Sequence, residues 1–450
     1  MSFKTIILAA GKGTRMKSKK AKVLHEVCGK PMVNHIIDVS KLAGSKETVV
    51  ITGHMKDEVL KALNEDVKIA EQKERLGTGH AVMMCKDFIN DDDKIMILCG
   101  DTPLLNEETL KNLLYYHNKN SYKATVLTCI VENSNGYGRI IRDDDNNLLK
   151  IVEQKDASKE ELLVKEINSG IYIFNGMDLK IALDKIDNNN AQGEYYLTDT
   201  LEIIKNEGKA VGAFSGALIE EIMGVNSKLD LSKANELMRK RINENHMLEG
   251  VNIIDPKSTY IDSDVKIGMD TIIEPNVILK GNTVIGEDCN IGANSKIVNS
   301  NIANNVNIAN STVLESKIDS NTTVGPYAYI RPNCNIGKNV KIGDFVEVKN
   351  SNIDDNTKAS HLTYIGDADL GKDINLGCGV VFVNYDGKNK FRTTVEDNSF
   401  IGCNTNLISP IKVEKNSYIA AGSTITMDVP KDNLAIARAR QVNKDNWNKK

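Results

Sequence analysis

The chain has 450 residues, more than one ordinary hydrophobic core supports, so two domains are expected. Charged residues at 26% and hydrophobic residues at 41% are typical of a soluble globular protein. Lysine plus arginine (57) nearly balance aspartate plus glutamate (61), and the formal charge of −4 excludes a chain-wide basic surface for nucleic acid or anionic membranes.

The sequence at the amino terminus and the spacing of the cysteines indicate the cellular compartment of the protein. The short apolar run from Thr5 to Ala9 leads into a glycine-rich loop, unlike a signal peptide with its cleavage site. No stretch approaches the roughly 20 apolar residues of a membrane-spanning helix. Eight cysteines are scattered without a Cys-x-x-Cys pair, which argues against a zinc site or a disulfide framework. We expect a cytoplasmic protein with no membrane insertion and no nucleic-acid partner.

The first half alternates strand-like runs with helix-like stretches such as Pro31 to Leu42. This alternation predicts an α/β domain with a mostly parallel, Rossmann-like sheet over residues 1–227. In such sheets ligands bind at the carboxyl ends of the strands. The predicted strands are Thr5 to Ala9, Thr48 to Thr52, Lys94 to Cys99, Ala124 to Cys129 and Gly170 to Phe174.

A glycine-rich turn with two cations, Leu8 to Met16, follows the first strand directly. Glycines let backbone N–H groups face a phosphate, and Arg15 can hold two phosphate oxygens at once. The turn matches neither a Walker A loop nor a Rossmann fingerprint, and taken alone it is an ordinary loop about as often as a binding site. Lys22 and a second glycine-rich segment, Leu76 to His80, favour phosphate binding.

A single carboxylate, Asp101, follows the strand that contains Ile95 to Cys99. A nucleotide-bound Mg²⁺ would lie at this end of the sheet, and Mg²⁺ usually takes one or two protein oxygens plus phosphates and waters. An isolated aspartate at a strand end is more often a turn or capping residue. Asp101 is therefore a candidate metal ligand that needs further support.

An amphipathic helix is predicted between the two halves, over residues 228–249. Leu231, Ala234, Met238 and Ile242 recur at spacings of three and four, with charged residues between them. A helix of this length spans roughly 30 Å. We interpret it as a linker.

Residues 250–450 carry a six-residue repeat. Aliphatic residues recur at every sixth position from Ile261 to Ile297, and the pattern returns with small phase shifts as far as Ile425. Six is a multiple of the two-residue period of a strand and not of the helical 3.6, so the repeat predicts a parallel β-helix with three hexapeptides in each turn. The run from Phe382 to Lys390 interrupts the rhythm and predicts a projecting loop, either a binding loop or a tolerated insertion.

Three basic residues are expected to project from this coil, Arg331, Lys349 and Lys390, and together they could bind a sugar phosphate. His361 lies near them in the sequence. A lone histidine is more often structural, but amide formation from a thioester needs a base, and imidazole has a suitable pKa range.

Motifs along essentially the whole chain resemble known enzymes. The Leu8 to Met16 turn with Lys22 resembles the signature of sugar-1-phosphate nucleotidyltransferases, and the repeat resembles the hexapeptide-repeat acyltransferases. The combination is similar to the bifunctional family that joins an N-acetylglucosamine-1-phosphate uridyltransferase to a glucosamine-1-phosphate acetyltransferase in bacterial cell-wall synthesis. The further matching motifs are Gly136 to Arg139, Ile151 to Asp156, Ile167 to Gly170, Asn189 to Asp199, Gly224 to Asn226, Gly343 to Lys349, Ser360 to Asp367, Asn384 to Gly387, Ala420 to Gly422 and Ala435 to Arg438.

The resemblance implies two consecutive reactions. Acetyl-CoA would acetylate glucosamine-1-phosphate, and N-acetylglucosamine-1-phosphate would then attack the α-phosphorus of UTP, giving UDP-N-acetylglucosamine and pyrophosphate with Mg²⁺ as cofactor. It also implies a left-handed coil that packs as a homotrimer, with the acyl sites between neighbouring coils.

The resemblance also implies roles for individual residues. In the first half, Leu8, Ala9, Ala10, Gly11, Gln72, Gly77 and Thr78 would hold the uridine, Arg15 and Lys22 the phosphates, Asp101 and Asn226 the Mg²⁺, and Gly138, Glu153 and Asn168 the amino sugar. In the second half, His361 would be the base, with Arg331, Lys349, Tyr364, Asn375 and Lys390 on glucosamine-1-phosphate and Cys378, Asn384, Tyr385, Cys403, Ala421 and Arg438 along acetyl-CoA.

Three alternatives remain open. The coil could merely assemble or regulate a single-activity nucleotidyltransferase, although His361 with Arg331 and Lys349 argues against this. The chain could be a non-catalytic assembly protein, against which Arg15, Lys22 and Asp101 argue. Cys378 or Cys403 could act as a nucleophile, but direct transfer suffices, and no second histidine is near in the sequence to activate a thiol.

Overall fold

A computed structural model describes residues 2–63, 67–445 and 447. The chain forms two compact units, one up to Met238 and one from Arg239 onward. The boundary between the two units, after Met238, lies within the predicted linker helix. The outer limits of the predicted domains, residue 1 and residues 448–450, lie outside the described residues.

The first unit combines helices with one large sheet and two short hairpins. Four single turns of 3-10 helix lie at Thr14–Met16, Lys22–Leu24, Lys86–Phe88 and Glu161–Leu163. The strands are β1 (Phe3–Leu8), β2 (Glu26–Val27), β3 (Lys30–Pro31), β4 (Ser45–Thr52), β5 (Lys68–Glu71), β6 (Lys94–Cys99), β7 (Ala124–Ile130), β8 (Arg139–Arg142), β9 (Leu148–Val152), β10 (Glu166–Asn175) and β11 (Val211–Ser215). The helices are α1 (Met32–Leu42), α2 (Lys56–Ala62), α3 (Thr78–Met83), α4 (Glu107–Lys119), α5 (Gly176–Leu183) and α6 (Asp199–Asn206).

The main sheet has the strand order β11-β7-β10-β6-β1-β4-β5. Its neighbouring strands are parallel except at β10, which runs antiparallel to both β6 and β7. Side chains of β1 alternate between two cores, with Ile7 in one and Ile6 in the other, so both faces of the sheet are covered. The predicted α/β fold with a mostly parallel sheet is confirmed, and β1, β4, β5 and β6 end side by side.

The helix between the halves, α7 (Lys228–Leu248), lies close to its predicted span. Its start is capped by Asp230, whose carboxylate accepts the Ser227 backbone N–H at 2.8 Å and the Ser227 hydroxyl at 2.9 Å. In the second unit the buried Asn243 donates to the carbonyl oxygens of Pro256 at 2.8 Å and Thr259 at 3.1 Å. These bonds fix the last turns of the helix to the start of the coil.

The second unit is a left-handed parallel β-helix built from very short strands. The strands are β12 (Asn252–Ile253), β13 (Tyr260–Ile261), β14 (Lys266–Ile267), β15 (Ile272–Ile273), β16 (Ile278–Lys280), β17 (Val284–Ile285), β18 (Asn290–Ile291), β19 (Lys296–Val298), β20 (Asn301–Ile302), β21 (Asn307–Ile308), β22 (Thr312–Leu314), β23 (Lys317–Ile318), β24 (Thr323–Val324), β25 (Tyr329–Ile330), β26 (Asn335–Ile336), β27 (Lys341–Asp344), β28 (Glu347–Lys349), β29 (Asn352–Ile353), β30 (Lys358–His361), β31 (Tyr364–Gly366), β32 (Ala368–Leu370), β33 (Asn375–Leu376), β34 (Val381–Val383), β35 (Thr393–Val395), β36 (Phe400–Ile401), β37 (Asn406–Ile408), β38 (Lys412–Val413), β39 (Tyr418–Ile419), β40 (Thr424–Ile425) and β41 (Leu434–Ala435).

Every third strand belongs to the same face of the coil. The first face starts at β12 and has 11 strands, the second starts at β13 and has 10, and the third starts at β14 and has 9. The repeating aliphatics point inward in register, as in the buried column Val324, Ile342 and Ala359 on the first face. The hexapeptide prediction is confirmed, because each six-residue unit supplies one short strand and one corner.

Corners of the coil repeatedly use the left-handed backbone conformation. Asn and Asp tolerate this conformation best after glycine, and they occupy most of these positions, for example Asn339 and Asn356. The Asn339 amide also donates to the Asn356 side-chain oxygen at 3.2 Å. Tyr327, Phe345 and Leu362 are bulky exceptions at one edge.

The predicted loop exists but begins later than expected. Phe382 is fully buried within β34 and pairs with Leu407, so placing it in the loop was wrong. Phe382 fills the inward position that an aliphatic residue occupies in most other turns. The chain leaves the coil after Val383 and returns at Thr393. Within the described residues, no helix has both the length and the apolar character needed to cross a membrane.

Candidate active sites

A cleft of about 300 Å³ opens at the carboxyl ends of β1, β5 and β6 in the first unit. The open end of a parallel sheet is where such folds bind ligands. Nine of the residues predicted for the uridyltransferase site line this cleft. Its lining residues are Leu8, Ala9, Ala10, Gly11, Lys22, Val23, Gln72, Arg75, Gly77, Thr78, Ala81, Cys99, Asp101 and Glu194.

Gln72 and Gly77 are held against each other at one side of the cleft. The buried Gln72 donates its side-chain amide to the Gly77 carbonyl oxygen at 3.0 Å and its backbone N–H to the Thr52 carbonyl oxygen at 2.8 Å. Gly77 has a φ of 112°, and a Cβ there would lie 2.5 Å from the Tyr195 carbonyl oxygen. A side chain at position 77 would therefore displace the segment that carries Thr78.

Four polar side chains from distant parts of the chain converge beside the glycine-rich turn. The Lys22 ammonium donates to the Asn226 side-chain oxygen at 2.6 Å and pairs with the Asp101 carboxylate. Arg15 donates to the same Asn226 oxygen at 2.9 Å. The Val225 N–H donates to the Asp101 carbonyl oxygen at 2.9 Å, which ties the Asn226 segment to the end of β6. Folding therefore brings both predicted metal ligands to one cation.

The donor set of Asp101 and Asn226 fits Mg²⁺. One carboxylate and one amide oxygen already converge on a single positive group, the Lys22 ammonium. Mg²⁺ commonly binds through one or two such protein oxygens and takes its remaining ligands from phosphates and water. Across the described ranges, no group of three or more His, Cys, Asp and Glu side chains forms a closed metal site.

The three residues predicted for the amino sugar also lie together. A Cβ on Gly138 would be 3.4 Å from the Glu153 carboxylate and 3.5 Å from the Asn168 Cβ. Asn168 donates its backbone N–H to the Gly138 carbonyl oxygen at 2.9 Å, and its side chain shares hydrogen bonds with the Tyr172 hydroxyl. Burial, with Asp156 and Glu194 nearby, raises the pKa of Glu153. A half-buried carboxyl beside an amide suits recognition of sugar hydroxyl and N-acetyl groups.

Sequence reasoning missed three residues of this region. Arg75 and Glu194 line the cleft, but no role was predicted for either. Arg75 directly precedes the glycine-rich segment that begins at Leu76, and Glu194 lies within the matching motif from Asn189 to Asp199. Asp230 accepts the backbone N–H of Asn226 at 3.0 Å and so fixes the backbone of a predicted metal ligand. The Ser227-x-x-Asp230 capping pattern was visible in the sequence and could have identified it.

In the coil, four predicted residues occupy the same position in four successive turns, His361, Cys378, Cys403 and Ala421. The backbone bonds show the stacking, because Gly379 donates to the Leu362 carbonyl oxygen at 3.0 Å and Asn404 donates to that of Cys378 at 2.7 Å. Gly422 likewise donates to the Cys403 carbonyl oxygen at 2.8 Å. We call this line between the first and second faces the acyl edge. A Cβ on Gly422 would lie 3.8 Å from the Arg438 Cδ, so Arg438 reaches the same edge.

His361 forms a close pair with Asp344 on this edge. The two residues face each other in the register of β27 and β30, and Nδ1 of the exposed imidazole lies 2.6 Å from Asp344 Oδ1. The hydrogen bond from His361 holds the pKa of Asp344 below its usual value. With Nδ1 paired to Asp344, Nε2 is the ring nitrogen that can take a proton from a substrate. No role was predicted for Asp344, which stands in the matching motif from Gly343 to Lys349 but lies 17 residues from His361.

The predicted cations lie along the next edge, between the second and third faces, which we call the cation edge. Lys349 pairs with Asp367 at 3.0 Å, and Asn384 donates to the same carboxylate. Burial works against the Asp367 charge, yet its hydrogen bonds with Lys349, Asn384 and the nearby Asn350 hold the pKa of Asp367 below its usual value. No role was predicted for this carboxylate, which ends the matching motif that begins at Ser360 and orients Lys349.

Arg331 and Lys390 complete the cation edge. Arg331 donates to Glu347 at 2.9 Å. Lys349 lowers the pKa of Lys390 through a hydrogen bond that the neutral Lys390 amine accepts and through its positive charge, so the two side chains lie close together. Two neighbouring cations favour a ligand with a doubly charged phosphate.

The single chain does not bring the whole predicted acetyltransferase site together. Tyr364 lies on the second face, in β31, but Asn375 lies on the first face, in β33. The predicted acetyl-CoA residues are also divided. Cys378, Cys403, Ala421 and Arg438 follow the acyl edge, and Asn384 and Tyr385 follow the cation edge.

Family models match both units. Residues 4–219 match the model described as nucleotidyl transferase. Residues 264–299 and 315–350 match the bacterial transferase hexapeptide model, which comprises six repeats. Residues 392–427 match the hexapeptide repeat of succinyl-transferase.

Three relatives align with nearly the whole chain, and each carries the name bifunctional protein GlmU. The protein of Clostridioides difficile (strain 630) is 64% identical over 99% of this chain and 97% of its own. That of Caldanaerobacter subterraneus subsp. tengcongensis is 56% identical over 98% and 97%. That of Alkaliphilus metalliredigens is 55% identical over 99% and 98%.

Proposed function

The chain belongs to the family of bifunctional GlmU proteins, and we propose that its two active sites are the cleft of the first unit and the His361 region of the coil. The enzyme acetylates glucosamine-1-phosphate with acetyl-CoA and then couples N-acetylglucosamine-1-phosphate to UTP. The products are CoA, pyrophosphate and UDP-N-acetylglucosamine, a precursor of the bacterial cell wall. The observation that carries the residue assignment is the His361–Asp344 pair, since a coil that served only for assembly would not need it.

Uridyl transfer needs charge neutralisation and in-line positioning more than a protein nucleophile. Ala10 and Gly11 line the cleft and would hold the uridine of UTP. Arg15 and Lys22 hold the phosphate oxygens as negative charge builds on the leaving pyrophosphate. Glu153 and Asn168 orient the sugar so that its phosphate oxygen approaches the α-phosphorus.

A divalent cation, which we take to be Mg²⁺, would be held by Asp101 and Asn226. When bound, it neutralises charge on the phosphates. Without the cation, the Lys22 ammonium contacts both Asp101 and Asn226. When UTP and the cation bind, the ammonium can move to the phosphate oxygens within the same cleft. Asp230 keeps the backbone of Asn226 in place throughout.

Acetyl transfer begins at the His361 Nε2, which accepts a proton as the amine of glucosamine-1-phosphate attacks the thioester carbonyl carbon. Asp344 holds the ring through Nδ1 and stabilises the positive charge that forms on it. The tetrahedral intermediate then expels the CoA thiolate, which takes up the proton. Lys349, Lys390 and Arg331 bind the sugar phosphate.

We propose that three copies assemble through the coil and that the enzyme works in the cytoplasm. The division of the acetyltransferase residues between two faces and two edges supports this assembly. Asn375 on the first face of one copy and Tyr364 on the second face of another would then meet the same substrate.

One assay tests the proposed function. The purified chain is supplied with glucosamine-1-phosphate, acetyl-CoA, UTP and Mg²⁺, and the expected products are CoA, pyrophosphate and UDP-N-acetylglucosamine in equal amounts. A chain that consumes N-acetylglucosamine-1-phosphate but releases no CoA from acetyl-CoA would be a single-activity nucleotidyltransferase. A chain that releases neither product would be an assembly protein.

A further inference from the structure

Two cysteines stand directly opposite each other on the acyl edge. Leu376 of β33 pairs with Ile401 of β36. The Asn404 N–H donates to the Cys378 carbonyl oxygen at 2.7 Å, so the same register continues two residues beyond these strands. Cys378 and Cys403 are therefore neighbours at the roughly 4.8 Å spacing of adjacent parallel strands. Disulfides join residues whose Cα atoms are about 4.4–6.8 Å apart.

The chain neighbours of Cys378 carry no side chains that could come between the two thiols. Cys378 is flanked by Gly377 and Gly379, and a Cβ built on Gly377 would lie only 2.9 Å from the Cys403 sulfur. The Cys403 sulfur thus leans towards the turn that carries Cys378. Glycine on both sides leaves the space between the sulfurs open.

These two cysteines are also the accessible ones among the eight, all of which the structure describes. Cys403 is exposed and Cys378 is half-buried, whereas five others are buried. Cys99 is partly exposed, and its thiol donates to the Gly170 carbonyl oxygen at 3.5 Å. The exposed Cys403 beside the half-buried Cys378 is therefore the expected place of reaction with small disulfides.

We propose that Cys378 and Cys403 are a reversible disulfide site that reacts with low-molecular-weight disulfides and stops acetyl transfer when it is closed. The exposed Cys403 thiolate attacks the small disulfide, forms a mixed disulfide and releases one small thiol. The Cys378 thiolate then attacks the Cys403 sulfur and releases the second thiol. Two protein thiols are oxidised and one small disulfide is reduced to two thiols.

The inhibition rests on the proposed acetyltransferase site. His361 occupies the same position as these cysteines one turn earlier, and its neighbour Leu362 is bonded to both Gly379 and Asp344 through the backbone. A disulfide draws its two Cβ atoms to about 3.8 Å, closer than the spacing of the turns. Closure therefore shifts the edge that holds His361 and removes both thiols from the proposed acetyl-CoA path.

The test uses the full chain and oxidised glutathione. After incubation and removal of excess reagent, peptide mass mapping should find Cys378 linked to Cys403, with the loss of two hydrogens. CoA release should fall more than tenfold, pyrophosphate release should stay within twofold, and dithiothreitol should restore CoA release. In Cys403→Ser, the oxidant should leave the variant's own CoA release within twofold of its untreated rate.

Two outcomes would overturn the proposal. One is the absence of the Cys378–Cys403 link while the oxidant is in large excess. The other is a fully linked enzyme that still releases CoA at the rate of the reduced form. If the reduced enzyme releases no CoA at all, the proposed acetyltransferase function fails instead, and the mass mapping still decides whether the disulfide forms.

Discussion

Among single residues, Asp344 and Asp367 each hold a functional side chain of a neighbouring turn of the coil, His361 and Lys349 respectively. Arg15, Lys22 and Asp101 lie beside glycine-rich or strand-end motifs, and the structure brings them together. Asp344 and Asp367 could not be found in this way. Their roles depend on which residue lies one turn away in the coil, and that register depends on the small phase shifts of the repeat.

Asp344 gives a prediction for acetyl transfer. Asp344→Ala removes the acceptor that holds His361 Nδ1, and kcat for CoA release should fall about 10- to 100-fold, as for loss of a hydrogen bond to a charged group. The KM values for both substrates should stay within about threefold, because Asp344 contacts His361 and not the substrates. Steady-state kinetics measures both constants.

Asp344→Asn is the matched control. It keeps an oxygen acceptor for Nδ1, so its loss in kcat should be smaller than that of Asp344→Ala, and pyrophosphate release should be unchanged in both variants. An alanine variant with the native rate of CoA release would show that the pair has no part in acetyl transfer.

His117 gives a prediction for acid stability. Its ring is fully buried between the Thr125 hydroxyl and the Asn175 side-chain oxygen, and burial lowers its pKa from 6.5 to about 4. The unfolded chain binds a proton at this residue between pH 6.5 and pH 4 and the folded chain does not, so stability is lost as the pH falls through this range. The loss from His117 should approach about 3 kcal/mol at pH 4.

Urea unfolding at pH 7 and pH 4 measures this loss. Carboxyl groups also titrate in this range, so the native chain is compared with His117→Gln, which cannot take up a proton at this position. The variant should lose about 3 kcal/mol less than the native chain between the two pH values. Equal losses would mean that His117 does not contribute to acid unfolding.

At the scale of elements, periodicity predicted the coil well because each strand places one aliphatic residue inward. The loop boundary was less predictable, since Phe382 fills an inward position that a simple aliphatic pattern does not include. In the first unit, the reversed direction of β10 was likewise invisible, because a single strand-like run carries no information about its direction in the sheet.

The inward column of the first face gives a prediction for the coil. Ile342 is fully buried between Val324 and Ala359, and the small Ala359 cannot fill a cavity left beside it. Ile342→Ala should destabilise the second unit by about 2–5 kcal/mol. Differential scanning calorimetry should show a lower transition for the coil and an unchanged transition for the first unit.

Lys341→Ala is the control on the same strand, because Lys341 is exposed and changes little in the core. It should change the free energy of unfolding of the second unit by less than about 0.5 kcal/mol. If both variants behave alike, the column is not what holds the coil together.

For the chain as a whole, the sequence predicted two catalytic halves. It did not predict that the acetyltransferase residues lie on different faces of the coil. Hexapeptide spacing places a residue on a face only when every phase shift is known. The division of Asn375 from Tyr364 predicts that the active form contains more than one copy.

Size-exclusion chromatography with light scattering measures this directly. A chain of 49.6 kDa should elute with about three times that mass. CoA release per chain should fall on dilution to concentrations at which the mass falls to that of one chain, and pyrophosphate release should not. A monomer with full CoA release would contradict the proposed assembly.

Whether one chain carries two separate active sites is tested by comparing CoA release with pyrophosphate release in two variants. Asp101→Ala should lower pyrophosphate release by about 10²- to 10³-fold and keep CoA release. His361→Ala should lower CoA release by about 10²- to 10⁴-fold and keep pyrophosphate release. Loss of both activities in either folded variant would contradict two separate sites.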